Sequence, residues 1–117
     1  MKKIYYLSTC DTCKRIMSEL QLPDSFIQQD IKTDPITPKQ IEEMYSLAGS
    51  YESLFSKRAR LYKERDLKNK PLEDEDYKGL ILEHYTFLKR PVIINEDSIF
   101  IGNSKKEVEG AKQSIHG

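Results

Sequence analysis

Cys10 and Cys13 are the two cysteines of the chain, and they stand together as Cys10-Asp11-Thr12-Cys13. The thiolate is the reactive form of cysteine, so whatever ionises one of these sulfurs decides what the pair can do. Positions three apart share one face of a helix, so the second sulfur can reach an adduct on the first and close a disulfide. A pair kept for stability more usually joins distant segments, because longer loops gain more from closure. Two other readings stay open. Both residues can be small apolar fillers at a helix start, or they can be half of a zinc site. Zinc needs two further ligands, and the two histidines, His84 and His116, are far apart in sequence and out of zinc-like spacing.

The surrounding residues predict how the pair is held. Ile4-Tyr5-Tyr6-Leu7 is an apolar, aromatic-rich run that reads as a buried strand. Thr9 and Asp11 are turn and helix-cap types, and Ile16, Met17 and Leu20 then recur at helical spacing. Cys10 is therefore expected at or just before a helix N-terminus, with Cys13 one turn in. The first N–H groups of a helix have no partner within it, and the helix dipole leaves partial positive charge there. Both effects favour a thiolate, so Cys10 is expected to be the more reactive sulfur.

The rest of the chain supplies a sheet and a helical middle. Gln21-Leu22-Pro23-Asp24 is a break, and a second strand is expected over residues 25–31. Thr37, Pro38 and Gln40 form a capping box with proline at the first helical position, and Gly49 suits that helix's C-terminal cap. Ile41, Met44, Tyr45 and Ala48 are its expected buried face. Residues 50–70 are dense in charge, with Leu54-Phe55 and Leu61-Tyr62 as apolar pairs that short helices would bury. The intervening Ser56-Lys57-Arg58-Ala59-Arg60 is either a solvated face or an anion site. Acidic residues from Glu73 to Glu75 suit another helix start, followed by Tyr77, Leu80, Ile81 and His84 at helical spacing. In Leu88-Lys89-Arg90-Pro91-Val92-Ile93-Ile94 a strand begins after Pro91, and an X-Pro bond at such an entry can be cis. Asn95-Glu96-Asp97 turns a hairpin into a strand over residues 98–101. Ser104 and Glu107 pattern a second capping box, with Val108, Ala111 and Ile115 facing inward on the last helix. The order is β-α-β, a helical middle, then β-β-α, which makes an α/β fold with one mixed sheet.

The 117 residues suit one domain, 1–117, and their 19 basic and 19 acidic side chains balance. That balance argues against a general nucleic-acid binder, which would be basic, and leaves a local basic patch open; no direct sequence-specific nucleic-acid binding is expected. The apolar run after Met1-Lys2-Lys3 is too short for a signal peptide, and no stretch approaches membrane-spanning length. A cytoplasmic location is expected, where thiols are kept reduced and a cysteine pair is more often catalytic or redox-sensing than structural.

Three segments together resemble the ArsC/Spx family of thioredoxin-fold proteins: Cys10-Asp11-Thr12-Cys13, Ser56-Lys57-Arg58 with Tyr62, and Leu88 through Ile94 with Gly102 after the next strand. The resemblance runs nearly end to end. It implies a thioredoxin-like core, a helical insertion at approximately residues 35–88, and a cis proline at Pro91. One branch of the family holds arsenate reductases coupled to glutathione and glutaredoxin. There a cysteine matching Cys10 attacks arsenate and arginines, one matching Arg90, hold the oxyanion. The other branch, Spx, is a redox-sensing transcriptional regulator with a Cys-x-x-Cys switch. It binds the carboxy-terminal domain of the RNA polymerase α-subunit, through a region corresponding to that around Gly49. The reductase branch usually has serine where this chain has Cys13. A second reductase arginine falls on Ser56, Arg58 matches the Spx pattern, and a third falls near Gly102. The resemblance thus implies a thiol oxidoreductase using Cys10, Cys13 and Arg90. Arg58, Lys14 and Pro91 are binding candidates, with a plain surface charge as the alternative reading for Lys14. Glutathione is the expected co-substrate and glutaredoxin or thioredoxin the expected partner, with no metal and no tightly bound cofactor. The alternative it implies is an Spx-like regulator.

Overall fold

The computed structural model describes residues 1–117. Its strands are β1 (Lys2–Tyr6), β2 (Ile27–Asp30), β3 (Val92–Asn95) and β4 (Ser98–Ile101). Its helices are α1 (Asp11–Leu20), α2 (Pro38–Ala48), α3 (Arg60–Glu64), α4 (Asp74–Glu83) and α5 (Lys105–His116). The chain divides into two compact units, one of Met1–Asp34 with Arg90–Gly117 and one of Pro35–Lys89.

The first unit is a four-stranded mixed sheet in the order β2-β1-β3-β4. β1 runs parallel to β2 and antiparallel to β3, and β3 and β4 form the hairpin. Alternate residues of a strand face opposite sides of the sheet. The paired residues Ile4 and Ile93 therefore share a face, and they join Ile16 and Leu20 of α1, Phe26, and Val108 and Ala111 of α5 in one apolar cluster. Burying each of the large aliphatic side chains contributes about 1.5–3 kcal/mol, which outweighs the modest intrinsic helix preference of α1 and α5. Ser104 caps α5 by accepting from the Glu107 N–H. β2 is shorter than the expected strand: Phe26 turns into the cluster while Ile27, on the edge strand, is 60% exposed.

The second unit is helical. Thr37 caps α2 in a complete capping box with Gln40, Pro38 opens the helix, and Gly49 closes it at φ +88°, a left-handed conformation that glycine adopts without strain. Ile41 and Met44 are buried as expected, but Tyr45 is 39% exposed. Its ring stacks on Tyr51 at 4.4 Å instead of entering the core. Helical spacing allowed either side chain to face inward, and packing within the unit chose Met44. The charged middle folds as α3 flanked by single 3-10 turns at Glu52–Leu54 and Leu67–Asn69, around Leu54, Phe55 and Leu67. The Phe55 ring stacks on Phe87 at 5.1 Å and meets Tyr62 and Tyr77 edge-on. The Asp74 carboxylate accepts from the Tyr51 and Glu52 N–H groups at 3.0 Å, tying the start of α4 to the first 3-10 turn.

Candidate functional site

β1 ends at Tyr6, the chain turns through Ser8 and Thr9, and the Cys10 N–H donates to the Leu7 carbonyl at 3.0 Å. Cys10 then takes the N-cap position of α1 in extended conformation, φ −98° and ψ 111°, and its carbonyl accepts from the Lys14 N–H at 3.2 Å. Thr9 or Asp11 would be the more usual cap by residue type. The turn places the cysteine there instead, and Asp11 becomes the first helical residue, its carboxylate matched to the dipole. Cys13, one turn in, is fully buried, whereas Cys10 is partly exposed.

The two sulfurs sit in different electrostatic surroundings. Burial pushes the Cys10 thiol up, but the N–H dipoles of Cys13 and Thr12, the Cys13 thiol and the Arg90 charge outweigh it, and its pKa falls below the ordinary 9.0. Cys10 makes no side-chain capping hydrogen bond, so the N–H groups act chiefly as oriented dipoles on a thiolate at the helix start. Burial dominates at Cys13: with the repulsion of the Cys10 sulfur, it outweighs a backbone hydrogen bond at Leu7 and the Arg90 charge, and the thiol is pushed up to about 11. One sulfur is thus the more readily ionised, and the other holds its proton more tightly.

Arg90 and Pro91 enter β3 through a cis peptide bond, and the Arg90 guanidinium favours the thiolate at both cysteines. Cys10, Cys13, Arg90 and Pro91 therefore all belong to the first unit. Lys14 belongs to it too, on the exposed side of α1. Arg58 belongs to the second unit, exposed just before α3. No group of three or more histidines, cysteines or acids is placed to hold a metal. No helix is long and apolar enough to cross a membrane.

One contact at this site escaped the sequence reading. The Asp30 carboxylate, at the end of β2, accepts from the Ser8 hydroxyl at 2.5 Å. The two residues are 22 apart in sequence, and no local pattern marks the pair.

The sequence profile of the ArsC family matches residues 5–111 of this chain. The chain belongs to the ArsC family. Among curated proteins, the global transcriptional regulator Spx of Bacillus subtilis is 22% identical over 112 residues, covering 92% of this chain and 84% of that protein. Among solved structures, a Staphylococcus aureus protein is 27% identical with a TM-score of 0.73, covering 94% of this chain and 97% of that one. The arsenate reductase of Vibrio cholerae is 18% identical with a TM-score of 0.72, covering 97% of each chain. These likenesses bear out the ArsC/Spx resemblance and the thioredoxin-like fold. They leave two kinds of relative, a reductase and a regulator.

Proposed function

We propose that this ArsC-family protein is a cytoplasmic dithiol oxidoreductase of the arsenate reductase-like kind, with Cys10 as nucleophile and Cys13 as resolving thiol. The observation that carries this reading is the contrast between neighbouring sulfurs, one lowered below 9.0 at a helix start and the other buried and raised to about 11. On a disulfide substrate, the Cys10 thiolate attacks one sulfur, the substrate S–S bond breaks, and the other half leaves as a thiolate. Cys13 then loses its proton to that leaving group or to water and attacks Cys10. The second substrate thiol departs and a Cys10–Cys13 disulfide remains. The substrate has gained two electrons and the protein has lost two.

Arsenate takes the same route. Cys10 replaces one hydroxyl, water leaves and an arsenic–sulfur bond forms. Attack by Cys13 on Cys10 then breaks that bond, leaving the disulfide and releasing arsenite. In this reading Arg90 stabilises the thiolate and the oxyanion, and Pro91 leaves backbone beside the pair for a thiol substrate. Lys14 is the further candidate within this unit for an oxyanion or a glutathione carboxylate. Glutathione through glutaredoxin, or thioredoxin, returns the two electrons.

The test is steady-state arsenate reduction with glutathione, glutaredoxin and NADPH, with a thioredoxin-driven disulfide assay run alongside. Turnover in either assay that disappears in Cys10→Ser supports the reading, and Cys13→Ser should accumulate mixed disulfides. Absence of turnover in both assays overturns it.

A second reading is favoured by the Spx name of the curated relatives and by a cysteine at position 13. In it, the same disulfide is a switch on a regulator that contacts the α-subunit of RNA polymerase. If the purified carboxy-terminal domain of that α-subunit is captured in one redox state only, without turnover, this reading is favoured. Absence of capture in both states would remove it.

A further inference from the structure

The nucleophile is presented by a turn, and the structure shows what holds that turn. β1 and β2 are parallel and end side by side, with Tyr6 opposite Asp30 and the Ile31 N–H donating to the Tyr6 carbonyl at 2.9 Å. Asp30 is fixed on its other side as well, since its carbonyl accepts from the Asp34 N–H at 2.8 Å. From this anchored backbone the carboxylate reaches into the turn before α1. One oxygen accepts from the Ser8 hydroxyl at 2.5 Å. The other accepts from the Ser8 N–H at 3.4 Å and from the Lys32 N–H at 3.2 Å. The Ser8 hydroxyl bond is also the largest cause holding the Asp30 carboxyl below its usual range, so an ionised acceptor is available at neutral pH.

The consequence for Cys10 follows from geometry. Leu7, Ser8, Thr9 and Cys10 form one tight turn, closed by the Cys10 N–H on the Leu7 carbonyl. Ser8 is its second residue. Cys10 feels the Thr12 and Cys13 N–H groups only while its backbone stays in the extended N-cap conformation. A turn free to rock would carry the sulfur away from them, and oriented dipoles lose effect steeply beyond the first turn.

We infer that Asp30 is a positioning residue for the nucleophile: through Ser8 it locks the Leu7–Cys10 turn and so maintains the reactivity of Cys10. The inference rests on the proposed role of Cys10. Support from outside the reacting groups is what a preorganised site requires. Position and charge act in opposite directions here. As a bare anion near Cys10, Asp30 would disfavour the thiolate, and its removal would make Cys10 more reactive. As an anchor, its removal makes Cys10 less reactive.

The experiment is the pH profile of iodoacetamide alkylation at Cys10 in the full chain. Wild type, Asp30→Asn, Asp30→Ala and Ser8→Ala are compared, with a thermal melt on each. The expected result is a midpoint raised by about one pH unit in Asp30→Ala, with about ten-fold less thiolate at neutral pH. Ser8→Ala should move the same way, and Asp30→Asn, which keeps an acceptor at the same reach, should stay near wild type. An unchanged or lowered midpoint in Asp30→Ala and Ser8→Ala overturns the inference, and so does a lowered melting temperature with an unmoved midpoint. A wild-type Cys10 midpoint at the ordinary thiol value would instead overturn the nucleophile reading on which the inference stands, which the wild-type profile alone reveals.

Discussion

Iodoacetamide applied to the reduced protein at neutral pH should distinguish two sulfurs one helical turn apart. With its pKa pushed up to about 11, Cys13 is about one part in ten thousand thiolate at pH 7. Cys10 lies below 9.0, so its thiolate fraction is at least about one part in a hundred, a ratio of at least about 100. A less basic thiolate is intrinsically less nucleophilic, and over two pH units that returns about six- to ten-fold. Ionisation alone therefore leaves Cys10 ahead by at least about ten-fold. Access widens the gap, because Cys13 has 0% exposure and must await a local opening, whereas Cys10 is partly exposed. A short alkylation pulse, quenched and read peptide by peptide by mass spectrometry, gives both rates in one sample. Rates within about three-fold of each other would refute the reasoning, since ionisation and burial both point the same way.

Arg90→Ala should raise the Cys10 midpoint and slow alkylation at neutral pH, while Arg90→Lys keeps most of the effect. The ultraviolet absorbance of the thiolate against pH checks both. Cys13 is held as a neutral thiol in the fold, so its contribution to stability is fully present below its unfolded value of 9.0 and is lost as pH rises through about 11. Those two pH units at about 1.4 kcal/mol each predict up to about 3 kcal/mol of alkaline destabilisation, seen as a steeper fall in denaturation midpoint for wild type than for Cys13→Ala. Asp74→Ala should cost about 1–3 kcal/mol, because two N–H groups lose their acceptor, with faster amide exchange concentrated at Tyr51 and Glu52. Ile16→Ala should cost about 2–5 kcal/mol in urea unfolding by opening a cavity between α1 and the sheet.

Local chemistry made much of the architecture readable. Thr37, Pro38, Gln40 and Gly49 define α2 because a cap is a contact between residues a few positions apart, and each of those features is present. The hairpin at Asn95–Ser98 and the entry at Pro91 are equally local. Where two readings were locally equivalent, the pattern could not choose. Tyr45 and Met44 are both apolar neighbours at the edge of one helical face, and stacking against Tyr51 took the tyrosine outward. Ile27 is apolar yet exposed, because β2 is an edge strand whose apolar residues need not be covered.

The same division holds at the site. Sequence alone determined that two thiols stand one turn apart after a strand, with the first at the mouth of a helix, because spacing and helical periodicity suffice for that. It could not say which residues hold the turn or how far the second thiol is withdrawn from water. Those depend on strand register and burial, which bring Asp30 to Ser8 and Arg90 to both sulfurs across long stretches of chain. Only the tertiary structure decided them, because a pKa and a hydrogen bond between distant residues belong to an assembled environment and not to any segment of the chain.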